Sequence, residues 1–319
     1  MKLKKSKYFD VFYKTSGWTG GDGVYTHIID DTIIWYFSDT FVGEVDEQGL
    51  RKDGFVMKNH SFGYAKVDDP FNIEFIYPQE REFLQTNDNT YHWLMDGMIL
   101  EDYLYLMTFK MSGESFGFQI EGIDTFKIPL LHNRLNFSKY ERLDVNYQKT
   151  IGKTTYYFGV SILDNKQVDG FIYIFGVSDQ ADKKLVVLRT RHFLSEHVEY
   201  LTPTGWSRNP KTLKPILKSI ANELRVYYED NRFKVVYSHN GISNDIMYSE
   251  TESIEKGFKK PIVIYEIDGL DLSLEMIGYN AKIHLLNDKK YVTYHVNTYK
   301  DDNHRYAKIY YPRVLEVEV

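Results

Sequence analysis

Three acidic residues stand out by where they fall. Asp22 in Gly20-Gly21-Asp22-Gly23, Asp96 in Trp93-Leu94-Met95-Asp96-Gly97 and Glu223 in Asn222-Glu223-Leu224 each stand at the opening of an apolar run. If those runs are the innermost strands of sheets arranged around one axis, the three carboxyls meet at one face of the channel. Like charges held that close cannot all stay ionised cheaply, so at least one carboxyl keeps its proton at a raised pKa. A protonated carboxyl beside an ionised one is the pair that glycosidic hydrolysis requires. With carboxyls ~4–5 Å from the axis and two steps apart on a five-fold ring, Asp22 and Glu223 are expected roughly 7.6–9.5 Å apart, inside the range of inverting glycosidases. Asp22 is then the general base, Glu223 the general acid, and Asp96 the group that orients the sugar or tunes Glu223.

Each acid also has a plainer reading. Asp-Gly is a common turn dipeptide, and Glu223 could pair with Arg225 or Arg189. Asp39, at the end of a second strand, is expected away from the axis, holding backbone amides of a face loop. Trp18, Trp93, Tyr157, Phe158 and Trp206 lie beside the acids or on face loops, where aromatic planes could stack on sugar C–H faces. Asn280, in Tyr279-Asn280, joins them as a substrate-binding candidate from the fifth inner strand. In a chain with 16% aromatic residues, most rings nonetheless pack in the core.

The elements that must position these residues recur five times. The strand pairs are Val24–Ile29 with Ile33–Phe37, Met98–Leu100 with Tyr103–Thr108, Tyr157–Leu163 with Phe171–Phe175, Leu224–Tyr228 with Arg232–Tyr237, and Ala281–Leu286 with Lys290–His295. Their turns are Asp30-Asp31, Glu101-Asp102, Asp164 to Gly170, Glu229-Asp230-Asn231 and Asn287-Asp288. A period of roughly sixty to seventy residues is long for one propeller blade but within reach of it. The expectation is an all-β, five-bladed β-propeller forming a single domain over 1–319. Leu185–Arg189 reads as a third strand of unit three, and Asp245–Ser249 with Pro261–Tyr265 complete unit four. Tyr306–Val319 supplies one or two closing strands, and Tyr8–Tyr13 an N-terminal strand that seals the ring and removes free edges. Gly43–Gln79, Gly113–Asn146 and His192–Ile220 read as long irregular stretches between hairpins, and Lys211–Ala221 as one short helix.

Composition fits this. The chain has 27 Tyr, 20 Phe and 8 Pro, and its net charge of −6 gives no footprint for nucleic acid or an anionic membrane. No apolar stretch is long enough to span a bilayer as a helix. Cysteine is absent, which excludes disulfides and thiolate metal sites. Met1-Lys2-Leu3-Lys4-Lys5 has no apolar segment after it, so the expectation is a cytoplasmic location, or secretion if a leader has been trimmed.

Trp18-Thr19-Gly20-Gly21-Asp22-Gly23 and Trp35-Tyr36-Phe37-Ser38-Asp39-Thr40-Phe41 resemble the opening of the bacterial domain-of-unknown-function families 4185 and 5005. Tyr157-Phe158-Gly159-Val160-Ser161, Gly205-Trp206-Ser207, Asn222-Glu223-Leu224 and Tyr279-Asn280-Ala281-Lys282-Ile283-His284 extend the resemblance across the chain. These families resemble the five-bladed propellers of glycoside hydrolase family 43, and relatives of the first are arabinan-cleaving enzymes of glycoside hydrolase family 183. The resemblance implies an inner-strand Asp base, a second Asp and a Glu acid, consistent with Asp22, Asp96 and Glu223. Gly23 stands where family 43 commonly has a proline after the base. The resemblance also implies a channel histidine near an ion and water, which is His284 here. Calcium would reach it only through waters, and no cofactor is required. The expected function is hydrolysis of a furanoside (arabinan-like) or related glycosidic bond by inversion, with carbohydrate as partner. A non-catalytic glycan-binding propeller and a loop-presenting protein scaffold are the alternatives.

Overall fold

The computed structural model describes residues 1–85, 89–113, 117–145, 147–300 and 303–318. All five expected hairpins form, most of them longer than the sequence pattern marks: Tyr25–Ile29 with Thr32–Phe37, Tyr91–Leu100 with Tyr103–Ser112, Thr154–Asp164 with Ile172–Ser178, Leu224–Glu229 with Arg232–Ser238, and Met276–Leu286 with Lys289–Thr298. Four of the turns place Asp30, Glu101, Asp230-Asn231 or Asn287 in the left-handed region, which short polar side chains tolerate best. The third turn is instead a single helical turn, Lys166–Asp169, closed by Gly170.

Each hairpin grows outward into an antiparallel sheet. Ser61–Lys66 and Asp69–Ile76 complete the first, and Gln119–Leu131 extends the second. Lys184–Thr190 extends the third, followed by Glu199–Thr202 and Gly205–Ser207. Asp245–Thr251 and Ile262–Glu266 complete the fourth. In the fifth, Pro312–Val317 pairs on one side with Lys289–Thr298 and on the other with Leu3–Lys5, so the chain start closes the last sheet. A sixth, three-stranded sheet of Ser16–Gly21, Thr40–Glu44 and Val56–Lys58 stands beside the first. The first strands of the five hairpins touch in succession: Tyr25–Ile29 meets Tyr91–Leu100, then Thr154–Asp164, Leu224–Glu229 and Met276–Leu286 follow, and the last returns to Tyr25–Ile29. The protein is all-β.

Second strands are sandwiched between neighbouring sheets. All six residues of Thr32–Phe37 and all seven of Ile172–Ser178 are buried. A strand covered on both faces needs an unbroken apolar run rather than alternation, and Ile33-Ile34-Trp35-Tyr36-Phe37 is such a run.

Several expectations are corrected. Tyr8–Tyr13 is a series of turns, and Leu3–Lys5 takes the sealing position. Lys211–Ala221 contains no helix; Leu217–Lys218 instead pairs with Leu185 and Lys184. The stretches read as irregular hold strands: Gly43–Gln79 contains the outer half of the first sheet, and Gly113–Asn146 contains the 13-residue strand Gln119–Leu131. Residues 114–116 and Asn146 of that second stretch lie outside the described residues, as does Val319 of the closing segment.

Candidate active site

Three of the five inner strands carry a register break at a similar depth, opposite Leu106/Thr108, at Phe158/Ser161 and at Tyr279/Lys282. A bulge locally bends a strand and re-aims its side chains. In the fifth sheet Asn280 occupies the break with φ of 62°, so Tyr279 and Lys282 both come to face the acids.

Asp22 lies just past Ser16–Gly21, in the link to the first inner strand. Its backbone N–H donates to the Asp39 carbonyl (3.2 Å), and the Ser38 N–H donates to its own carbonyl (2.7 Å). That double tie fixes the Ser38-Asp39 turn against Asp22 and makes the two carboxyls neighbours. Gly23, at φ +63°, lets Glu223 approach: a Cβ there would stand 3.1 Å from Glu223 Oε1 and 2.5 Å from Ser38 Oγ. Proline, fixed near φ −65°, could not adopt this conformation, which accounts for the departure from the family 43 pattern. Asp22, Asp39 and Glu223 therefore share one recess, each only half-buried.

Hydroxyl and indole donors hold this cluster. The Tyr279 hydroxyl donates to Asp22 Oδ2 (2.9 Å), and Tyr310 also bonds the Asp22 side chain. Trp93 Nε1 donates to Asp39 Oδ1 (3.1 Å), and Tyr310 donates to the Asp39 carbonyl (3.1 Å). Burial, then the charge of Glu223, pushes the Asp22 carboxyl up to about 7 despite its tyrosine donors. Burial and the neighbouring Asp22 push Asp39 well above the carboxylate range, against the pull of Trp93. Glu223 is also raised by burial, opposed by Lys282, whose Nζ lies 3.4 Å from Glu223 Oε1. The recess thus retains a proton near neutral pH beside an ion-paired carboxylate, which is the equipment of acid–base chemistry.

Deeper along the inner strands the chemistry differs. Asp96 is completely buried, in the middle of its strand rather than at the opening. It accepts from the Gly97 and Ile162 N–H groups (2.9 and 2.8 Å) and lies 3.3 Å from His27 Nε2. Burial works against its charge, but His27, Arg225 and the Ile162 amide outweigh it and hold its carboxyl below the usual range. His284 contacts Thr26 Oγ1 through Nδ1 (3.0 Å) and Thr293 Oγ1 through Nε2 (2.8 Å). Both ring nitrogens are engaged, and burial together with the Arg225 and Lys282 charges depresses its basicity. With Nδ1 and Nε2 both on threonine hydroxyls, this arrangement leaves His284 no free nitrogen for a cation. No group of three or more His, Asp or Glu among the described residues is arranged to hold a metal.

Comparison with known proteins agrees with this architecture. Residues 5–318 match the family described as a domain of unknown function, DUF5005. The chain belongs to this family. No curated protein matches it in sequence. Among solved structures it is similar to a candidate hydrolase from Bacteroides ovatus (17% identity, TM-score 0.74, covering 98% of this chain and 89% of that one). It is also similar to the α-L-arabinanase of Cellvibrio cellulosa (10% identity, TM-score 0.58, 94% and 92% covered). A third is the sialidase of Trypanosoma rangeli (8% identity, TM-score 0.51, 98% and 59% covered). The fold of this DUF5005 chain is glycoside hydrolase-like.

Within that fold the residues singled out from sequence separate into groups. Asp22 and Glu223 come together, and Trp93 stands beside them through Asp39. Trp18 does not line a face: it is buried, stacks on Phe75 at 4.3 Å and donates to Ser61. Phe158 and Tyr157 are core residues, with the Tyr157 hydroxyl on the Ile120 carbonyl. Asn280 is buried and serves the bulge. Trp206 sits on the third sheet's outer strands, under the Arg189 guanidinium and bonded to Glu255. Sequence reasoning missed Asp39, Tyr310 and Lys282. Asp39 was legible only as a strand-end acid; the tie between its backbone and Asp22 links strands whose pairing the sequence does not state. Lys282 carried a signal, a lysine inside the apolar run Ala281–Leu286.

Proposed function

We propose that this chain is a single-domain, five-bladed propeller that hydrolyses a glycosidic bond, a furanoside of arabinan type being the preferred substrate class. The blade count rests on the five inner strands touching in a closed succession. The observation that carries the function is the shared recess of Asp22, Asp39 and Glu223, where burial retains a proton while Lys282 opposes one carboxylate.

The proton inventory favours the reverse of the roles expected from sequence. Asp22, protonated up to about pH 7, gives its proton to the leaving oxygen as the glycosidic C–O bond breaks. Glu223, opposite Lys282, takes a proton from the water whose oxygen bonds the anomeric carbon. The Tyr279 hydroxyl, which donates to Asp22 Oδ2, stabilises the Asp22 carboxylate left behind. The second reading is a glycan-binding propeller without turnover, which would use the same half-buried polar recess with no proton transfer.

A screen against aryl furanosides, aryl pyranosides and arabinan-type polymers tests this, with Asp22→Asn and Glu223→Gln in parallel. Turnover abolished by both substitutions supports a hydrolase and names its substrate class. Glycan binding without turnover, unchanged in Glu223→Gln, supports the binding reading and rejects the hydrolase.

A further inference from the structure

Lys282 is completely buried, an uncommon position for an ammonium unless it is paired. Its contacts are long: 3.4 Å to Glu223 Oε1 and 3.5 Å to Asn280 Oδ1, with Nζ 4.2 Å from the centre of the Tyr25 ring. Two of these partners do not compete for its charge, since the aromatic face and the amide oxygen attract a cation without neutralising it. The bulge at Tyr279/Lys282 is what turns this side chain inward. A strand register without the extra residue would point position 282 to the opposite face of the sheet.

The geometry points to Lys282 as a positioning residue: a built-in cation that fixes the Glu223 carboxylate in the recess and leaves the cluster's proton to the Asp22–Asp39 pair. This rests on the hydrolase reading only for its consequence in turnover; the electrostatic division itself does not need a substrate. The groups facing Lys282 are Glu223, Asp22 and Asp96, from three different inner-strand units, with His284 and His295 on its own sheet. Glu223 in turn faces Lys282, Asp22, Asp39, Tyr25 and Tyr279. Of all these, the nearest fixed positive charge to Glu223 is Lys282, so removing it transfers the proton preference from the aspartates to Glu223.

The test compares wild type with Lys282→Met by carboxyl 13C NMR of glutamate-labelled protein, the Glu223 signal being identified by its loss in Glu223→Gln. Near-ultraviolet circular dichroism of each protein reports whether the aromatic core is intact. The expected result is a Glu223 midpoint at least ~1 pH unit higher in Lys282→Met. An unchanged midpoint in a folded variant overturns the proposal. Should Lys282→Met fail to fold, 15N NMR of labelled lysines in wild type and Glu223→Gln gives the reciprocal measurement. Coupling is symmetric, so the Lys282 ammonium must titrate lower by a similar amount once Glu223 is neutral; no change there also overturns it. On any substrate found in the screen, Lys282→Met should move the limb of the pH–rate profile that reports the base to higher pH. Coupling seen by NMR without turnover in any protein rejects the hydrolase reading alone, and turnover without coupling rejects the role of Lys282 alone.

Discussion

The recess around Asp22 and the bonded centre around Asp96 are built from the same residue types, within a few residues of the same inner strands, and reach opposite electrostatic states. Asp96 is completely enclosed, yet two backbone amides, His27 and Arg225 keep it ionised. Asp22 retains some surface, yet its partial enclosure and then the neighbouring Glu223 raise it to about 7. Burial alone therefore does not decide which acid holds a proton; the count of donors and cations against nearby anions does. An acid whose charge is met by donors is a strut, whereas one crowded by anions and only partly enclosed is available for chemistry.

The sharpest way to break the contrast is to neutralise each acid in turn. Asp22→Asn should cut turnover by about 10²–10⁴-fold, the usual span for one general acid or base, and leave the fold intact. Asp96→Asn should do the reverse in kind. It sets an amide N–H against the Gly97, Ile162 and His27 groups that the carboxylate meets, and a buried donor left unsatisfied costs about 1–3 kcal/mol. Urea unfolding of both variants, read beside turnover, decides: equal destabilisation by the two substitutions would erase the distinction.

The pH dependence of stability separates the regions without a substrate. For Asp22 the folded-state pKa lies above the unfolded one, so its contribution is full below pH ~4 and is lost as pH rises towards about 7. For Asp96 the folded-state pKa is depressed, so its contribution is present above pH ~4 and is lost on acidification through the folded value. Asp22→Asn should accordingly gain stability relative to wild type between pH 4 and 7, with no gain at lower pH. Asp96→Asn should lose most at neutral pH and least in acid. Melting temperatures of the three proteins across pH 3–8 check both slopes.

How much of this was legible in the sequence follows the same division. The five hairpins were visible because short polar turns between apolar runs are local signals, and the core strand Thr32–Phe37 announces itself as an unbroken apolar run. Asp22 and Glu223 were found because both stand at strand openings, a property of the sequence order. Asp39 was assigned to a face loop because nothing local links residues 22 and 39; the link is a pair of backbone hydrogen bonds. Trp18 misled for the complementary reason. It precedes the acid by four residues, but its strand, Ser16–Gly21, belongs to the small side sheet and turns the indole onto Phe75. Asp96 looked like Asp22 because both read Asp-Gly, and only the bulge beside it reveals that one is enclosed.

The finest probe of the contrast is Trp93, whose indole bonds the recess rather than the centre. Its ring is half-buried, 5.0 Å from the exposed Phe118 ring and tilted by 60°. Trp93→Phe keeps an aromatic ring but removes the N–H that favours the Asp39 carboxylate, a hydrogen bond to a charged acceptor worth about 1.5–3 kcal/mol at most. Asp39, already raised by burial and by Asp22, should hold its proton to still higher pH. A protonated Asp39 no longer repels the charge on Asp22, so Asp22 should ionise more readily and the acidic species that donates should disappear at lower pH. The expected result is a downward shift of a few tenths of a pH unit in the limb of the pH–rate profile that reports Asp22, with turnover at the optimum reduced about tenfold or less. No shift would mean that the two aspartates do not share their proton, and that the recess is two independent acids rather than one coupled cluster.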